Sequence, residues 1–570
     1  MFRVSTYVSE RILQLFEVEG VKTMFGIPDP SFVRMFNQAE ERGWRVVAPH
    51  HEAAGGFMAE GLSRMTGKVG LVVGNQGPGV ANLVPAAICA AKEGSPIIFI
   101  GGQRKHIADQ RVRRGRIQYT QQYKYIEPAT KYIGIIEYPE QTDEIVHESI
   151  RRALSGRPGP VYIEVPMNSM NAELDLPPPV SREAYRLVRQ EASASGVADA
   201  IKLISAAAYP ILLVGHGAFA SRGLDHVGAL ARKLACPIIE TFPQSPAIEG
   251  FEDRTFPFGF SPAGIAAVAQ SDLVIAIGTE IGEPVRSGEE GHWQKGNTDR
   301  KWIYVEKDPL AIGVNRPVDV PLIGDLCDVV PQLVRKLPEA PREPRPELAD
   351  WIQAHKDYKA NALASVPSGS SPIHPARFLV EATRGLPKDC VLVRDGGAVN
   401  IYTWTYAQIQ PRDVLWSQNF GHLGTGLPHA IGAQLAVGQN RRVVLISGDS
   451  AFLFHISELE TAVRKNLPIL CIVGCDYAWG LEVRVYRGMF GPDTTETEAH
   501  WGNQLRLDKI AEGFGAHGEY VDRTEDIAPA VARALASGKP AVVQVVIDGV
   551  ANARDVPGHD EYKNWYTDFF

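Results

Sequence analysis

Residues 441–462 read RRVVLISGDSAFLFHISELETA, which joins a strand pattern, a turn of small residues and a helical pattern. Such a turn lets backbone N–H groups approach a phosphate, and the dipole of the following helix favours the anion. Asp449 lies in the turn, where its carboxylate can hold a cation that bridges two phosphates. Mg²⁺ prefers oxygen ligands of this kind. The stretch therefore predicts a parallel α/β sheet with a phosphate and metal site at its edge.

The same alternation of short apolar runs and helical patterns continues along the whole chain, which is typical of parallel α/β sheets. Two linker-like stretches, Leu174–Ala194 and Pro338–Pro375, interrupt it. We therefore predict three doubly wound parallel-sheet domains, over residues 1–175, 190–340 and 372–570.

Composition excludes several classes of protein. With 45% apolar residues, 22% charged residues and a net charge of -8, the 570-residue chain is not a typical nucleic-acid binder. It has no signal-peptide pattern at its start and no apolar run long enough for a membrane span. Its six cysteines lack paired C-x-x-C spacing, which argues against a disulfide framework or a zinc site. We expect a cytoplasmic enzyme with no nucleic-acid or membrane partner.

A second acid, Asp476, follows the next strand pattern, 27 residues after Asp449. One β-α-β crossover separates the two acids, so both should emerge at the same carboxyl edge of the sheet, where ligands bind. Taken singly, Asp449 could be a helix N-cap and Asp476 a turn former.

The glycine, the two acids and their spacing resemble the diphosphate–Mg²⁺ motif of thiamine-diphosphate enzymes. The resemblance implies that Asp449, Asp476 and the backbone carbonyl of Ala478 bind Mg²⁺. It also implies that the cofactor's diphosphate lies against the turn residues Gly448, Ser450 and Ala451. Asp476 stands where the family usually has Asn, which adds a negative charge to the site.

Upstream, residues 421–428 read GHLGTGLP and resemble the family segment that grips the aminopyrimidine ring. The implied roles are a Gly421 carbonyl that accepts from the 4′-amino group and a bulky Leu423 beneath the cofactor. For Leu423 the alternative is plain core packing.

Glu52 opens a helix pattern rich in small residues, His50–Gly61, and a lone Glu there is usually a dipole partner. This segment, with the turn Gly74–Asn82 that contains Asn75, resembles the pyrimidine-binding domain of the same family. The resemblance covers essentially the whole chain, as pyrimidine-binding, central and diphosphate-binding domains. It implies that Glu52 activates the cofactor by protonating or hydrogen-bonding its pyrimidine ring. It also implies at least a homodimer, often a homotetramer, because Glu52 meets the diphosphate domain across a subunit interface.

The sequence defines the substrate less well than it defines the cofactor. Gln118 resembles the active-site glutamine of acetolactate synthases and 2-hydroxyacyl-CoA lyases, and Glu482 matches a glutamate of pyruvate-decarboxylase-type enzymes. A basic run, Lys105–Gln118, could receive phosphates or a carboxylate, although charge runs are usually solvated. In the family the central domain holds FAD, ADP, a CoA moiety or nothing. FAD is not expected here, because the Arg-rich stretch typical of FAD-binding members is missing.

We therefore expect a thiamine-diphosphate-dependent carbon–carbon lyase that resembles 2-hydroxyacyl-CoA lyases and oxalyl-CoA decarboxylases. It would split a 2-hydroxyacyl-CoA into formyl-CoA and a ketone or aldehyde, with Glu52, Gln118 and Glu482 as catalytic residues. The alternative is a decarboxylase or carboligase acting on a free 2-oxo acid, like acetolactate synthase or benzoylformate decarboxylase. A non-catalytic relative is a third hypothesis. The aromatic tail, Ala551–Phe570, could dock on the protein or close over the active-site mouth.

Overall fold

The computed structural model describes residues 4–105, 115–243, 245–369, 371–551, 556–558 and 561. Its strands are β1 (Val4–Tyr7), β2 (Thr23–Phe25), β3 (Arg45–Val47), β4 (Gly70–Gly74), β5 (Ile97–Gln103), β6 (Ile133–Ile135), β7 (Val161–Pro166), β8 (Glu173–Leu176), β9 (Pro210–Val214), β10 (Ile238–Glu240), β11 (Thr255–Pro257), β12 (Leu273–Ile277), β13 (Lys301–Glu306), β14 (Val320–Ile323), β15 (Val391–Arg394), β16 (Asp413–Leu415), β17 (Val443–Gly448), β18 (Leu470–Cys475), β19 (His517–Val521) and β20 (Ala541–Val546).

The α-helices are α1 (Val8–Val18), α2 (Val33–Glu41), α3 (Glu52–Thr66), α4 (Pro78–Glu93), α5 (Tyr123–Ile126), α6 (Thr142–Leu154), α7 (Met167–Met170), α8 (Ala194–Ala206), α9 (His216–Ala220), α10 (Leu224–Leu234), α11 (Pro262–Gln270), α12 (Leu326–Lys336), α13 (Pro346–Ala364), α14 (Pro375–Thr383), α15 (Ala398–Tyr406), α16 (Gly426–Val437), α17 (Asp449–Leu453), α18 (Glu458–Arg464), α19 (Gly480–Phe490), α20 (Leu507–Gly513) and α21 (Thr524–Ala536). Within the described ranges, no helix is both long and apolar enough to cross a membrane.

The strands of the three domains form three six-stranded parallel sheets in the described part of the chain. Their orders are β3-β2-β4-β5-β7-β6, β11-β10-β9-β12-β13-β14 and β16-β15-β17-β18-β20-β19. This confirms the predicted α/β architecture of three parallel-sheet domains. Numbered within each sheet, the first and third share the order 2-1-3-4-6-5, whereas the central sheet has the dinucleotide-fold order 3-2-1-4-5-6. In the third sheet β16 lies on one side of β15 and β17 on the other, so the order in which strands are added reverses between β15 and β17. At such a point a crevice opens outside the carboxyl ends of the two strands.

Helices α3 and α16 join the first and third domains by close backbone packing. A Cβ on Gly61 would lie 2.5 Å from the carbonyl oxygen of His429, and one on Gly432 would lie 2.0 Å from that of Met58. Only glycine permits this approach. Beside it, buried Glu60 lies 3.2 Å from the ring of His429. Burial raises the pKa of Glu60, but the hydrogen bond and charge of His429 lower it to about 2.

The chain departs from the sequence prediction in two places. Residues 4–7 form β1, which pairs antiparallel with β8 at the start of the first predicted linker. The second predicted linker contains the 19-residue helix α13, which starts with Pro346 and packs against α11. Proline favours the first helical position, and the apolar stripe of α13 is too sparse to stand out in a charged, proline-rich stretch.

Near the C-terminus, Glu561 is anchored to the central domain. Its carboxylate accepts from the Arg286 guanidinium at 2.8 and 3.0 Å and lies 3.1 Å from the ring nitrogen of His292. The aromatic tail residues Tyr562, Trp565, Tyr566, Phe569 and Phe570 lie outside the described residues.

Candidate active site

Asp449 and Asp476 meet at the carboxyl edge of the third sheet. Asp449 directly follows β17 and is 1% exposed, and Asp476 directly follows β18. The Asp449 carboxylate accepts from the backbone N–H groups of Ser450 and Tyr477, both at 2.9 Å, and from the Cys475 thiol at 3.1 Å. The two strands are adjacent and parallel, so both acids emerge on one edge. The structure therefore brings the two predicted metal ligands together.

Electrostatics at this pair favour a cation. Burial, followed by the charge of Asp476, raises the pKa of Asp449 to about 7. Burial also raises the pKa of Asp476. Two enclosed carboxylates oppose each other's ionisation, and a divalent cation between them would remove that cost. Their oxygen donors suit Mg²⁺.

A cavity of about 620 Å³ opens beside the two acids and is bounded by all three domains. Eight of the predicted residues line it: Gly421, Leu423, Gly448, Asp449, Ser450, Asp476, Ala478 and Glu482. Ala451 is adjacent in sequence and buried. The volume of the cavity is typical of a small-molecule or cofactor site.

One end of the cavity lies at the crevice between β15 and β17. Residues Gly396–Asn400 line it, and α15 begins there with Gly397 as its N-cap residue. A helix N-terminus presents free N–H groups and a partial positive charge to an anion. With the adjacent acid pair, this donor set fits a diphosphate bridged to a divalent cation.

Asp395, which was not among the predicted residues, supports the loop 421–425. Asp395 directly follows β15, and its carboxylate accepts from the N–H groups of Gly396 and Gly426, both at 2.7 Å. These bonds fix the start of α16, and hence Gly421 and Leu423, relative to the sheet. The signal was available, because Val391–Gly397 is a short strand pattern that ends in an acid beside glycines, as residues 443–449 also do.

The buried Asp395 predicts a pH effect on the stability of the metal-free protein. Burial raises its pKa from 3.8 to about 6, so the folded state binds this proton more tightly than the unfolded state. The resulting stabilisation is fully present below pH 3.8 and is lost as the pH rises through about 6. It should amount to about 3 kcal/mol. Urea unfolding at pH 4 and pH 7 gives the change in the free energy of unfolding for the wild type and for Asp395→Asn. Between these pH values the wild type should lose about 2 kcal/mol relative to the variant, and an equal change in both proteins would contradict the prediction.

The predicted residues of the first domain gather around a second site. Glu52 begins α3, and its carboxylate accepts from the Asn82 side chain at 2.9 Å. A Cβ on Gly79 would lie 3.3 Å from Glu52 Oε1 and 3.2 Å from Asn75 Cβ. The backbone carbonyl of Gln118, a residue with φ of 59°, packs against the same turn at Gly77.

Glu52, Asn75 and Gln118 do not line the cavity that contains the two aspartates. Within one chain, the predicted site is therefore divided into a first-domain cluster and the cavity beside the two aspartates. Of the basic run, residues 106–114 lie outside the described part of the chain.

Glu482 lies near the start of α19 and lines the cavity beside the two aspartates. Glu482 is exposed at the cavity surface, and partial burial of its carboxyl group raises its pKa. Such a group can take up a proton from a bound molecule near neutral pH, and return it, more readily than an ordinary glutamate.

Three domain families match this chain. Residues 6–125 match "Thiamine pyrophosphate enzyme, N-terminal TPP binding domain", residues 197–333 match its "central domain", and residues 395–545 match its "C-terminal TPP binding domain". The match to the C-terminal domain includes Asp449, Asp476 and the loop 421–425. The match to the N-terminal domain includes the cluster around Glu52.

Similar proteins match over nearly their whole lengths. The chain is 26% identical to sulfoacetaldehyde acetyltransferase of Alcaligenes xylosoxydans xylosoxydans, over 94% of this chain and 92% of that protein. It is 28% identical to the acetolactate synthase large subunit of Parasynechococcus marenigrum, over 95% and 90%. It is 26% identical to the large subunit of acetolactate synthase isozyme 1 of Escherichia coli, over 95% and 94%.

Proposed function

Because the chain belongs to the thiamine pyrophosphate enzyme family, we propose that it is a carbon–carbon lyase that cleaves or forms 2-hydroxyacyl-CoA. The products of cleavage are formyl-CoA and a ketone or aldehyde. The observation that carries the proposal is the cavity that presents Glu482 beside the Asp449–Asp476 pair.

The residues of the third domain would hold the cofactor. Thiamine diphosphate, when bound, supplies a thiazolium carbon that adds to carbonyl groups and accepts electrons from the breaking bond. Asp449, Asp476 and the carbonyl of Ala478 would ligate Mg²⁺, while the N-terminus of α15 would receive the diphosphate. Gly421 and Leu423 would contact the pyrimidine ring and the underside of the cofactor.

Cleavage breaks the bond between the hydroxyl-bearing carbon and the thioester carbon. The hydroxyl proton is removed as the ketone or aldehyde forms, and the thioester carbon gains one proton to become formyl-CoA. The atoms therefore balance, because one proton moves from the substrate hydroxyl to the thioester carbon. Glu482, whose pKa is raised by its surroundings, would carry that proton, and Gln118 would hold the substrate oxygen by a hydrogen bond.

The charge and reach of the cavity are compatible with an acyl-CoA. Lys92 and Arg157 of the first domain line it, as do Glu280 and Glu283 of the central domain. Arg157 and Glu280 form an ion pair across this boundary. A substrate that extends from Glu482 toward this boundary would meet Lys92 and Arg157, which could contact phosphates, as well as the acids Glu280 and Glu283.

A second copy of the chain would complete the site. The Glu52 cluster and the cavity are separate within one chain, whereas cofactor activation requires a carboxylate at the pyrimidine ring. A homodimer, or a homotetramer built from two such dimers, would bring the Glu52 of one chain to the cavity of the other. We expect this protein to be at least dimeric.

A second candidate follows from the names of the relatives. Two of the three are acetolactate synthases and one is an acetyltransferase. A carboligase or decarboxylase acting on a free 2-oxo acid would use the same acid pair and Glu482. The substrate decides between the two proposals.

The test is a mass-spectrometric product assay of the enzyme loaded with thiamine diphosphate and Mg²⁺. A panel of 2-hydroxyacyl-CoA esters would be compared with pyruvate and benzoylformate. Formyl-CoA with a matching ketone or aldehyde supports the lyase. Carbon dioxide or a carboligation product from the free acids, with the esters untouched, supports the second candidate and overturns the first.

Glu482→Gln should lower kcat about a hundredfold with the best substrate of this panel, because a positioned proton carrier is lost. The wild-type pH–rate profile should fall on its acid side as Glu482 becomes protonated, and this limb should disappear in the variant. Glu512→Gln, on an exposed helix face, is the matched control and should match the wild type. An unchanged acid limb in Glu482→Gln would show that another group titrates.

A further inference from the structure

The C-terminal end of α4 binds the chain segment that leads into the loop 421–425. Glu93 is the last residue of α4, and its Oε1 atom accepts from the backbone N–H groups of Asn419 at 2.7 Å and Phe420 at 2.9 Å. The Ser417 hydroxyl lies 3.4 Å from the same oxygen. Helix α4 belongs to the first domain, whereas residues 417–420 belong to the third. Since Phe420 lines the cavity, a first-domain side chain helps to fix the cavity wall.

The position of Glu93 would be unfavourable without these contacts. The residue is 3% exposed, and its Oε2 atom is buried with no hydrogen-bond partner in the described part of the chain. It also ends a helix, where the dipole favours a cation. Burial raises the pKa of Glu93, while the charge of Arg64 and the two N–H groups oppose that rise. A buried acid costs free energy unless its partners offset the cost, and here the partners are those N–H groups.

The conformation of residues 417–421 shows what Glu93 stabilises. The Gly421 N–H donates to the Ser417 carbonyl at 3.2 Å and so closes one helical turn. N–H groups at the start of a helical turn have no partner within it, and the Glu93 carboxylate accepts from two of them as an N-cap side chain would. Gly421 leaves the turn with φ of 64°, which glycine adopts without strain. The direction of the Gly421 carbonyl therefore depends on this turn.

Further hydrogen bonds hold the segment on both sides. From the first domain, Arg64 Nη1 donates to the Trp416 carbonyl at 2.9 Å, and the Asn419 side chain donates to the Lys92 carbonyl at 3.3 Å. At the other end of the loop, the Asp395 carboxylate accepts from the N–H of residue 426. The loop 421–425 is thus held at both ends by buried carboxylates, one from its own domain and one from the first domain.

We propose that Glu93 is a positioning residue that holds the turn 417–421 in the conformation that receives the aminopyrimidine ring of the cofactor. Glu93 itself does not line the cavity. It acts through the turn, because a loop that is ordered before the ring arrives adds no ordering cost to binding. The inference rests on the proposed contacts of Gly421 and Leu423 with the cofactor.

The test compares two ligands by isothermal titration calorimetry in the presence of Mg²⁺. Thiamine diphosphate carries the ring, and inorganic diphosphate lacks it. Glu93→Met removes both carboxylate oxygens at similar side-chain volume. It should weaken the binding of thiamine diphosphate about tenfold, as expected for the loss of two hydrogen bonds to a buried carboxylate. The affinity for inorganic diphosphate should stay within about twofold of the wild type, because its proposed site is separate from the turn.

Three further variants complete the comparison. Glu93→Gln keeps an oxygen that can accept from both N–H groups and should stay within about threefold of the wild type for both ligands. Glu144→Met, at an exposed position of α6 in the same domain, is the matched control and should bind both ligands as the wild type does. If Glu93→Met does not fold, Glu93→Ala carries the same comparison, because it leaves room for water at the freed N–H groups.

A purely structural role predicts equal losses of affinity for the two ligands, and that result would overturn the inference. So would wild-type affinity of Glu93→Met for thiamine diphosphate, or an equally large loss in Glu93→Gln. Thermal unfolding of each ligand-free variant separates loss of affinity from loss of fold.

Failure of the cofactor proposal gives a different pattern. If the wild type binds thiamine diphosphate no more tightly than inorganic diphosphate, the proposed ring contacts are wrong. If Asp449→Asn binds both ligands as well as the wild type does, the proposed metal site is wrong. Either result overturns the cofactor proposal and this inference with it. If both controls behave as proposed and Glu93→Met is unchanged, only the role of Glu93 is wrong.

Discussion

Glu52→Gln should lower kcat about a thousandfold while leaving the fold and cofactor binding largely intact. Glutamine keeps the length of the side chain and an oxygen that can accept from Asn82, so the start of α3 is preserved. It cannot protonate the pyrimidine ring and return the proton, which is the proposed role of Glu52. Product formation gives kcat, and thermal unfolding with and without thiamine diphosphate and Mg²⁺ reports binding.

The control for this change is Glu41→Gln on the exposed side of α2, which should be fully active. More than about a third of wild-type kcat in Glu52→Gln would contradict the role. Mixing the variant with Asp449→Asn after dissociation tests the shared site. If each site draws on two chains, the mixture should regain about a quarter of wild-type activity, since half the dimers then contain one intact site. No recovery in reassorted dimers would place both residues in one chain's site.

Asp449→Asn should abolish most of the stabilisation that thiamine diphosphate and Mg²⁺ confer. At a ligand concentration a thousand times the dissociation constant, the wild type should gain about 4 kcal/mol in the free energy of unfolding, and the variant close to none. The metal-free variant should still fold, because the raised pKa of Asp449 shows that its negative charge is disfavoured in the folded protein. Activity should fall to background in parallel.

Thermal unfolding across a titration of both ligands measures this effect. Asp389→Asn is the matched control, because Asp389 is an exposed acid of the same domain. It should show the full gain. A wild-type gain in Asp449→Asn would mean that the metal binds elsewhere, and an absent gain in the wild type would remove the cofactor from the proposal.

Local patterns predicted the sheets well, because their central strands are buried on both faces and read as apolar runs. Val443–Gly448 and Leu470–Cys475 are completely buried strands of this kind. Elements at the periphery of the fold were not predicted, because they have no such apolar run. Residues 4–7 are a strand only because residues 173–176 lie beside them, and no local pattern carries that pairing. Helix α13 was hidden by a composition typical of linkers.

Site residues that belong to a recognisable local motif could be predicted from the sequence. Residues that reach the site only through the folding of distant segments could not. Asp449 and Asp476 stand in two similar strand-end turns whose spacing implies adjacency. Asp395 has the same local signature, but its partner Gly426 is 31 residues away. Lys92, Arg157 and Glu283 reach the cavity from other domains, and only the assembled structure reveals that.

The glycine contact between α3 and α16 limits how the protein can be divided. A fragment lacking the first domain would leave the small-residue face of α16 in water, together with the buried His429 deprived of Glu60. Uncovered apolar surface of this kind promotes aggregation. Expression of the third domain alone would therefore require that α3 also be present, for example by co-expression of the first domain as a separate chain.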